Sequence, residues 1–149
     1  MKENNKITLN NVRKKDLEFL YNLLLERDSR VNISHKKMPS YDEHIKFVLS
    51  KPYTKWYIVN LEGKKVGSVY LSKQDEIGIF LKKDIQGKGL GKYALNILKK
   101  KNPRKRFIAN VNPKNKNSAK FFRQNGFKLI QHTYELEERN DKKIIWKKP

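Results

Sequence analysis

Gln86-Gly87-Lys88-Gly89-Leu90-Gly91-Lys92 joins a β-rich run at 76–82 to a helical pattern that carries Leu90, Ala94, Ile97 and Leu98 on one side. Where a strand hands over to a helix, the first helical N–H groups lack internal partners and point outward with the positive end of the helix dipole. Glycine permits positive φ and lets an anion approach the backbone, while Lys88 and Lys92 add full charges at the rim. The stretch therefore predicts an anion site that a diphosphate fits. The alternative is a turn that needs its glycines only to reverse the chain.

Three glycine motifs compete for this turn. A Walker loop needs G-x-x-x-x-G-K-[ST], but Gln86 stands five residues before Gly91 and Tyr93 follows Lys92, which argues against nucleoside triphosphate hydrolysis. The dinucleotide fingerprint is formally present in Gly89-Leu90-Gly91-Lys92-Tyr93-Ala94. However, the acid expected ~20 residues on is missing, because no Asp or Glu occurs between Asp84 and Glu135. The 55 residues after Ala94 are also too few for repeated βαβ units, so NAD is disfavoured and only an NADP-type variant through Arg104 or Arg106 stays open. The third pattern is Gln or Arg, two residues, Gly, one residue, Gly or Ala, met here by Gln86, Gly89 and Gly91.

Working outward, residues 6–9 read as a strand. Leu17, Leu20, Tyr21 and Leu24 give a first amphipathic helix, and Ser40 caps a second that ends near Ser50, before Pro52. Runs at 55–60, 65–72 and 76–82, separated by Glu62-Gly63 and Lys73-Gln74-Asp75, predict an antiparallel meander. After the glycine turn and its helix, Pro103 precedes a strand at 106–111 that should lie parallel to its neighbour. A helix over 115–125 closes at Asn125-Gly126, and strands near 127–136 and 142–147 flank an Asn140-Asp141 turn. The predicted fold class is α/β of the α+β type: residues 1–149 as one domain, with a mixed, mostly antiparallel, twisted central sheet flanked by about four helices.

Composition supports a folded chain. Leu, Ile, Val and Phe supply 41 of 149 residues, well above the roughly 20% below which a highly charged chain stays disordered. The absence of cysteine excludes disulfides and thiolate metal sites, and three scattered histidines argue against a bound metal, so a reducing cytoplasm is the expected location. No apolar run approaches the ~18–20 residues of a membrane span, and Met1-Lys2-Glu3-Asn4-Asn5 leads into no apolar signal core. The formal net charge of +20 attracts polyanions, and the acid-free stretch from Ile85 to Tyr134 concentrates it.

The third glycine pattern, this element order and the later run Asn115-Lys116-Asn117-Ser118-Ala119-Lys120-Phe121-Phe122-Arg123-Gln124-Asn125-Gly126-Phe127 together resemble the GNAT superfamily of acyl-CoA-dependent N-acetyltransferases. The resemblance covers roughly residues 6 to 136. It implies acetyl-CoA as cosubstrate, no metal, and coenzyme A held at Gln86, Gly87, Lys88, Gly89, Leu90, Gly91 and Lys92, with Asn115 beside the pantetheine arm and Lys120 near the 3′-phosphate. It also implies that the strand before the turn splays from its neighbour, so that amides of Ile79, Phe80 and Leu81 bind pantetheine, that of Leu81 steadying the oxyanion. Glu76, early on that strand, is the candidate general base; its alternative is an ordinary sheet-edge carboxylate. Many family members place a proton-donating tyrosine where Phe122 stands, so the acid here is water, Tyr93 or Tyr134, or none.

The resemblance implies a primary-amine acceptor bound between Arg27 and Tyr41 and near Tyr134. Within the family, Ser34 to Lys46 with Glu43-His44 and the Asn115 to Phe122 run resemble enzymes acetylating amino sugars and nucleotide-linked amino sugars. Protein N-termini, lysine side chains and other small amines are the alternatives, and monomer and homodimer are both compatible with the sequence. From another class, a basic nucleic-acid-binding module would also use the charge, but it has no need of a glycine turn at a helix start, and no nucleic-acid-reading motif occurs.

Overall fold

The computed structural model describes residues 6–27 and 38–138. Four strands, β1 (Ile7–Asn11), β2 (Lys55–Leu61), β3 (Lys64–Leu71) and β4 (Ile77–Leu81), form an antiparallel sheet in the order β1-β2-β3-β4. Four helices accompany them: α1 (Leu17–Leu25), α2 (Tyr41–Leu49), α3 (Leu90–Lys101) and α4 (Lys116–Gln124). Among the described residues no helix is long and apolar enough to cross a membrane.

Local chemistry accounts for most of these boundaries. The β2–β3 loop is the two-residue turn Glu62-Gly63 with φ of 52° and 81°, the left-handed pair whose twist suits a hairpin. At α2, Ser40 Oγ accepts from the Glu43 N–H at 3.1 Å and the Glu43 carboxylate accepts from the Ser40 N–H at 2.8 Å, a reciprocal cap. α4 begins where Asn115 Oδ1 accepts from the Ser118 N–H at 3.1 Å. It ends with Gly126 at φ 92°, the Phe127 and Gly126 amides bonding back to the Phe122 and Arg123 carbonyls at 2.9 and 3.1 Å.

Strand periodicity of two sends alternate residues to two layers. Tyr57, Val59, Val69, Leu71 and Ile77 meet Leu90, Ala94, Leu95 and Leu98 of α3 in the main core. On the other face Ile58 packs with Leu20 of α1 and Val48 of α2 in a smaller cluster. Asn102, buried at the end of α3, donates to the Tyr57 hydroxyl at 3.1 Å and the Leu98 carbonyl at 3.0 Å.

Two expected strands are absent. Over 106–111 the expected parallel pairing shrinks to one bridge, Glu76 to Ile108, made by the Ile77 N–H to the Ile108 carbonyl (2.7 Å) and the Ile108 N–H to the Asp75 carbonyl (2.9 Å). The chain then leaves the sheet at Asn112-Pro113. There the Asn112 side chain accepts from the Lys114 N–H at 2.9 Å and its carbonyl from the Asn115 N–H at 2.8 Å, a turn that leads into α4. Residues 127–136 form no strand: Leu129 and Tyr134 are 75% and 90% exposed, and β propensity without a partner makes no ladder. The Asn140-Asp141 turn and the strand expected at 142–147 lie outside the described residues.

Gly67 of β3 sits so close to β4 that a Cβ there would lie 2.4 Å from the Phe80 carbonyl oxygen, a backbone atom held in the ladder. Gly67→Ala is expected to destabilise the fold by about 1–3 kcal/mol through overpacking, read as a lower urea midpoint at unchanged m-value.

Candidate active site

A cavity of about 770 Å³ opens on the α1/α2 face of the sheet and runs across β4 to the start of α4. Its catalytic-looking centre is Glu76, half-buried beside the point where pairing stops. The β3–β4 turn positions it: Ser72 Oγ accepts from the Glu76 N–H at 3.1 Å and approaches Glu76 Oε1 at 3.3 Å, and Asn110 Nδ2 donates to Oε2 at 3.0 Å. One carboxylate is thus steered from both sides of the fork between β4 and residues 108–112.

The fork itself follows from the register. Gly78, Phe80 and Lys82 turn their amides toward β3, as the Lys82 N–H to Val66 carbonyl bond of 2.9 Å marks. Ile77 turns its amide the other way, to Ile108, and by the strand period Ile79 and Leu81 do the same. Past Ile77, no backbone bond joins β4 to 106–112 among the described residues. Ile79 and Leu81 therefore present amides to an open edge, whereas Phe80, with its amide inward, lends the cavity its ring.

The edge leads to the glycine turn. Gln86 Nε2 donates to the Leu81 carbonyl at 2.8 Å, tying the turn to the end of β4. Gly87 and Gly89 have φ of 81° and 79°, and a Cβ at either would meet nothing within 4 Å, so glycine is required there by backbone conformation in open space. Among the described residues no side chain caps α3 at Gly89. Gly91 is buried, and a Cβ on it would lie 3.0 Å from the Phe121 ring of α4 and 3.8 Å from Ile79, so the three elements close on one another here. Lys88 and Lys92 are exposed at the rim, Leu90 is core, and Lys120 is exposed on α4. These arrangements fit the diphosphate and pantetheine of coenzyme A on the chain's own features: an uncapped helix start, glycines without neighbours, and outward strand amides.

Asn115, Ser118 and Phe122 wall the cavity from α4. Asn115 spends its Oδ1 on the helix cap, leaving its Nδ2 donors for a ligand. Phe122 is buried against Phe121 and Phe127, at ring separations of 5.2 and 5.0 Å. Of the two tyrosines considered as acids, Tyr93 packs against the main core and Tyr134 stands in solvent; neither lines the cavity.

A match to the family model for the acetyltransferase (GNAT) family spans residues 17–127. The chain belongs to the GNAT family of acetyltransferases. Among solved structures, this GNAT chain is similar to a domain from Methanocaldococcus jannaschii DSM 2661, with a TM-score of 0.76 and 25% identity over 87% of this chain and 93% of that one. RimL, a ribosomal L7/L12 alpha-N-protein acetyltransferase in complex with coenzyme A, superposes with a TM-score of 0.68 at 18% identity, covering 85% and 82%. The spermidine N-acetyltransferase SpeG from Vibrio cholerae gives 0.67 at 20%, covering 86% and 83%. These last two likenesses concern the fold. No curated protein sequence matches significantly.

The GNAT cavity also holds residues that no motif announced. Tyr53 and Tyr70 stack with centroids 3.8 Å apart and planes 4° from parallel, and Trp56 meets Tyr53 edge-on at 4.8 Å. Gly78, opposite Tyr70 in the register, makes room for this wall, since a Cβ there would lie 2.2 Å from the Tyr70 ring. A glycine inside a strand is the one signal that could have pointed to it. Burial raises the pKa of both tyrosines, so both stay protonated. Arg27, just past α1, lies with its guanidinium carbon 4.0 Å from the Phe80 ring centroid.

His44 is buried beside Tyr21, with no hydrogen-bond partner for Nε2 among the described residues. Burial lowers its pKa from the ordinary 6.5, and a backbone hydrogen bond with Leu17 only partly opposes this. A lowered folded value means that the unfolded chain takes up the proton first. The stability is therefore complete above pH ~6.5 and lost as pH falls through the folded value. The urea midpoint is expected to fall between pH 7.5 and 5.5, and to fall less in His44→Phe; parallel curves for the two proteins would exclude the assignment.

Proposed function

We propose that this GNAT domain transfers an acetyl group from acetyl-CoA to a primary amine bound on the α1/α2 side of β4, with Glu76 as general base. The observation that carries the reading is the continuity of the open β4 edge. It starts at Glu76, passes the Ile79 and Leu81 amides and ends at the glycine turn that opens α3. When bound, acetyl-CoA supplies the electrophilic thioester: the amine nitrogen forms the new C–N bond, the C–S bond breaks, and the thiolate leaves.

The chain's own groups then have distinct tasks. The amides of Leu90, Gly91 and Lys92 hold the diphosphate, with Gly87 and Gly89 giving it room and Lys88, Lys92 and Lys120 adding charge at the rim. Gln86 holds the turn to β4. Ile79 binds the pantetheine arm opposite Asn115, and the Leu81 amide extends that ladder; an outward amide on β4 meets the charge that develops on the carbonyl oxygen. An alkyl ammonium of pKa ~10 is mostly protonated at neutral pH, so Glu76 must take a proton, directly or through water, before attack. As the amide forms, the nitrogen sheds its second proton to solvent water, and water protonates the thiolate, since Phe122 has no proton to give. An amino sugar or nucleotide-linked amino sugar is the acceptor favoured by the sequence, and part of the stretch behind that reading, Ser34 to Lys37 with His35, lies outside the described residues. We read residues 1–149 as a single catalytic domain acting in the cytoplasm.

Gly89→Glu puts bulk and negative charge where the diphosphate belongs. A folded variant is expected to lose measurable acetyl-CoA binding by calorimetry, and unchanged affinity would reject the site. Glu76→Gln keeps the shape and is expected to lower kcat about 10²-fold with a small change in the KM for acetyl-CoA. A pH–rate profile identical to that of the wild type would remove Glu76 as base.

A further inference from the structure

We propose that Arg27 binds an anionic group of the acceptor, so that the substrate is a primary amine bearing a carboxylate or a phosphate. This inference rests on the transferase reading above and names the substrate class for the same cavity.

Arg27 lines the cavity with its guanidinium stacked 4.0 Å from the Phe80 ring centroid, and among the described residues it forms no ion pair. The carboxylates nearest to it are engaged by other groups. Of those lining the cavity, Glu43 accepts from the Ser40 N–H at 2.8 Å and Glu76 is held by Ser72 and Asn110, while the adjacent Glu26 accepts from the Lys83 N–H at 2.9 Å. Burial lowers the Arg27 pKa, the sign of a cation partly stripped of water without a counter-charge. Such a group is costly to keep unless something compensates it. Stacking on Phe80 satisfies the flat face of the guanidinium and leaves its N–H edges for a bidentate anion, which is how arginine grips carboxylate and phosphate.

The opposite charge is in the same cavity. Arg27 and Glu76 both act electrostatically on the Tyr53–Tyr70 pair, Arg27 lowering and Glu76 raising the tyrosine pKa values, so the stacked wall lies within reach of both fields. A molecule laid along that wall meets a carboxylate that suits an ammonium and a guanidinium that suits an anion. The basic surface adds to the selection, since a net charge of +20 draws in an anionic or zwitterionic acceptor and repels a polycation.

The test uses matched amine pairs with wild-type protein and acetyl-CoA, following thiol release: L-phenylalanine against 2-phenylethylamine, L-methionine against 3-(methylthio)propylamine, and glucosamine 6-phosphate against glucosamine. At least one anion-bearing member is expected to exceed its partner without the anion tenfold or more in kcat/KM. The pair that responds tells carboxylate from phosphate. In Arg27→Gln the preference should shrink to threefold or less with the KM for acetyl-CoA unchanged, while Arg27→Lys keeps its direction. Arg27→Met, which retains the contact with Phe80, serves should the glutamine variant fail to fold. Thermal shifts of the protein saturated with coenzyme A, recorded with the same pairs, give a readout independent of turnover.

Amines without an anionic group that perform equally well, a preference that survives loss of the Arg27 charge, an effect confined to the acetyl-CoA KM, or acetyl-CoA binding with no anion-dependent shift or turnover in any pair would each overturn the proposal. Failure of the wild type to bind acetyl-CoA would instead overturn the transferase reading beneath it.

Discussion

The site depends on a sheet that stops pairing one residue into its last strand. β4 is fully paired to β3 on one side, but on the other, among the described residues, it bonds only at Ile77 and Ile108 before the chain departs toward Asn112-Pro113. Backbone amides that a wider sheet would consume are thereby left facing a gap. An exposed edge invites unwanted pairing, and here α4 stands beside it, with Phe121 meeting Gly91 and with Asn115 and Phe122 walling the cavity. The same divergence positions the proposed base, because Glu76 is the bridge residue and Asn110, two positions beyond its bridge partner, reaches back to its carboxylate. A single topological event thus sets the binding edge and the carboxylate together, so that a shift of either would move both.

The two faces of the sheet divide the labour. Against α3 the packing is dense and apolar, with Val59, Val69, Leu71, Ala94, Leu95 and Leu98 sealed from solvent, which gives β4 a rigid backing. On the opposite face, among the described residues, only Leu20, Val48 and Ile58 form a buried cluster, and the space beyond it toward β4 is a cavity. Its aromatic wall stands because Gly78 carries no side chain. Tyr70 can then lie flat over β4, and Tyr53 stacks upon it. Small residues at 67 and 78 thus do for β3 and β4 what the glycine turn is proposed to do for a phosphate, letting other groups approach the main chain.

Legibility in the sequence followed the range of the interaction. The Glu62-Gly63 hairpin, the Ser40 cap and the Gly126 helix stop are decided within a few residues, and all three are readable. The glycine turn was readable for the same reason, since its chemistry lies in the backbone of one heptapeptide. Strands at 106–111 and 127–136 were over-read, because β propensity describes what a segment tolerates while a ladder also requires a partner at the right distance. Arg27 over Phe80, Tyr53 on Tyr70 and Asn110 at Glu76 join positions 53, 17 and 34 residues apart. No periodicity announces them. Even the segment Arg27 to Tyr41 reads only as a region, with nothing to say that its first residue is a half-buried cation.

Charge acts here at two ranges, and they should be kept apart. Lys88, Lys92 and the lysines at the end of α3 are solvated, and at physiological salt their fields fade over about 8 Å. Their contribution is to raise the local concentration of anions around the turn, an effect that salt weakens and that carries little geometric information. Arg27 is different in kind, because its guanidinium is fixed by contact with Phe80 and partly withdrawn from water. Screening reaches such a group poorly, and its planar donors discriminate by direction as well as by sign. If the surface lysines governed the choice of acceptor, raising the salt concentration would level the differences between anionic and neutral amines. If the half-buried guanidinium governs it, salt slows capture of both donor and acceptor while the ranking of acceptors persists.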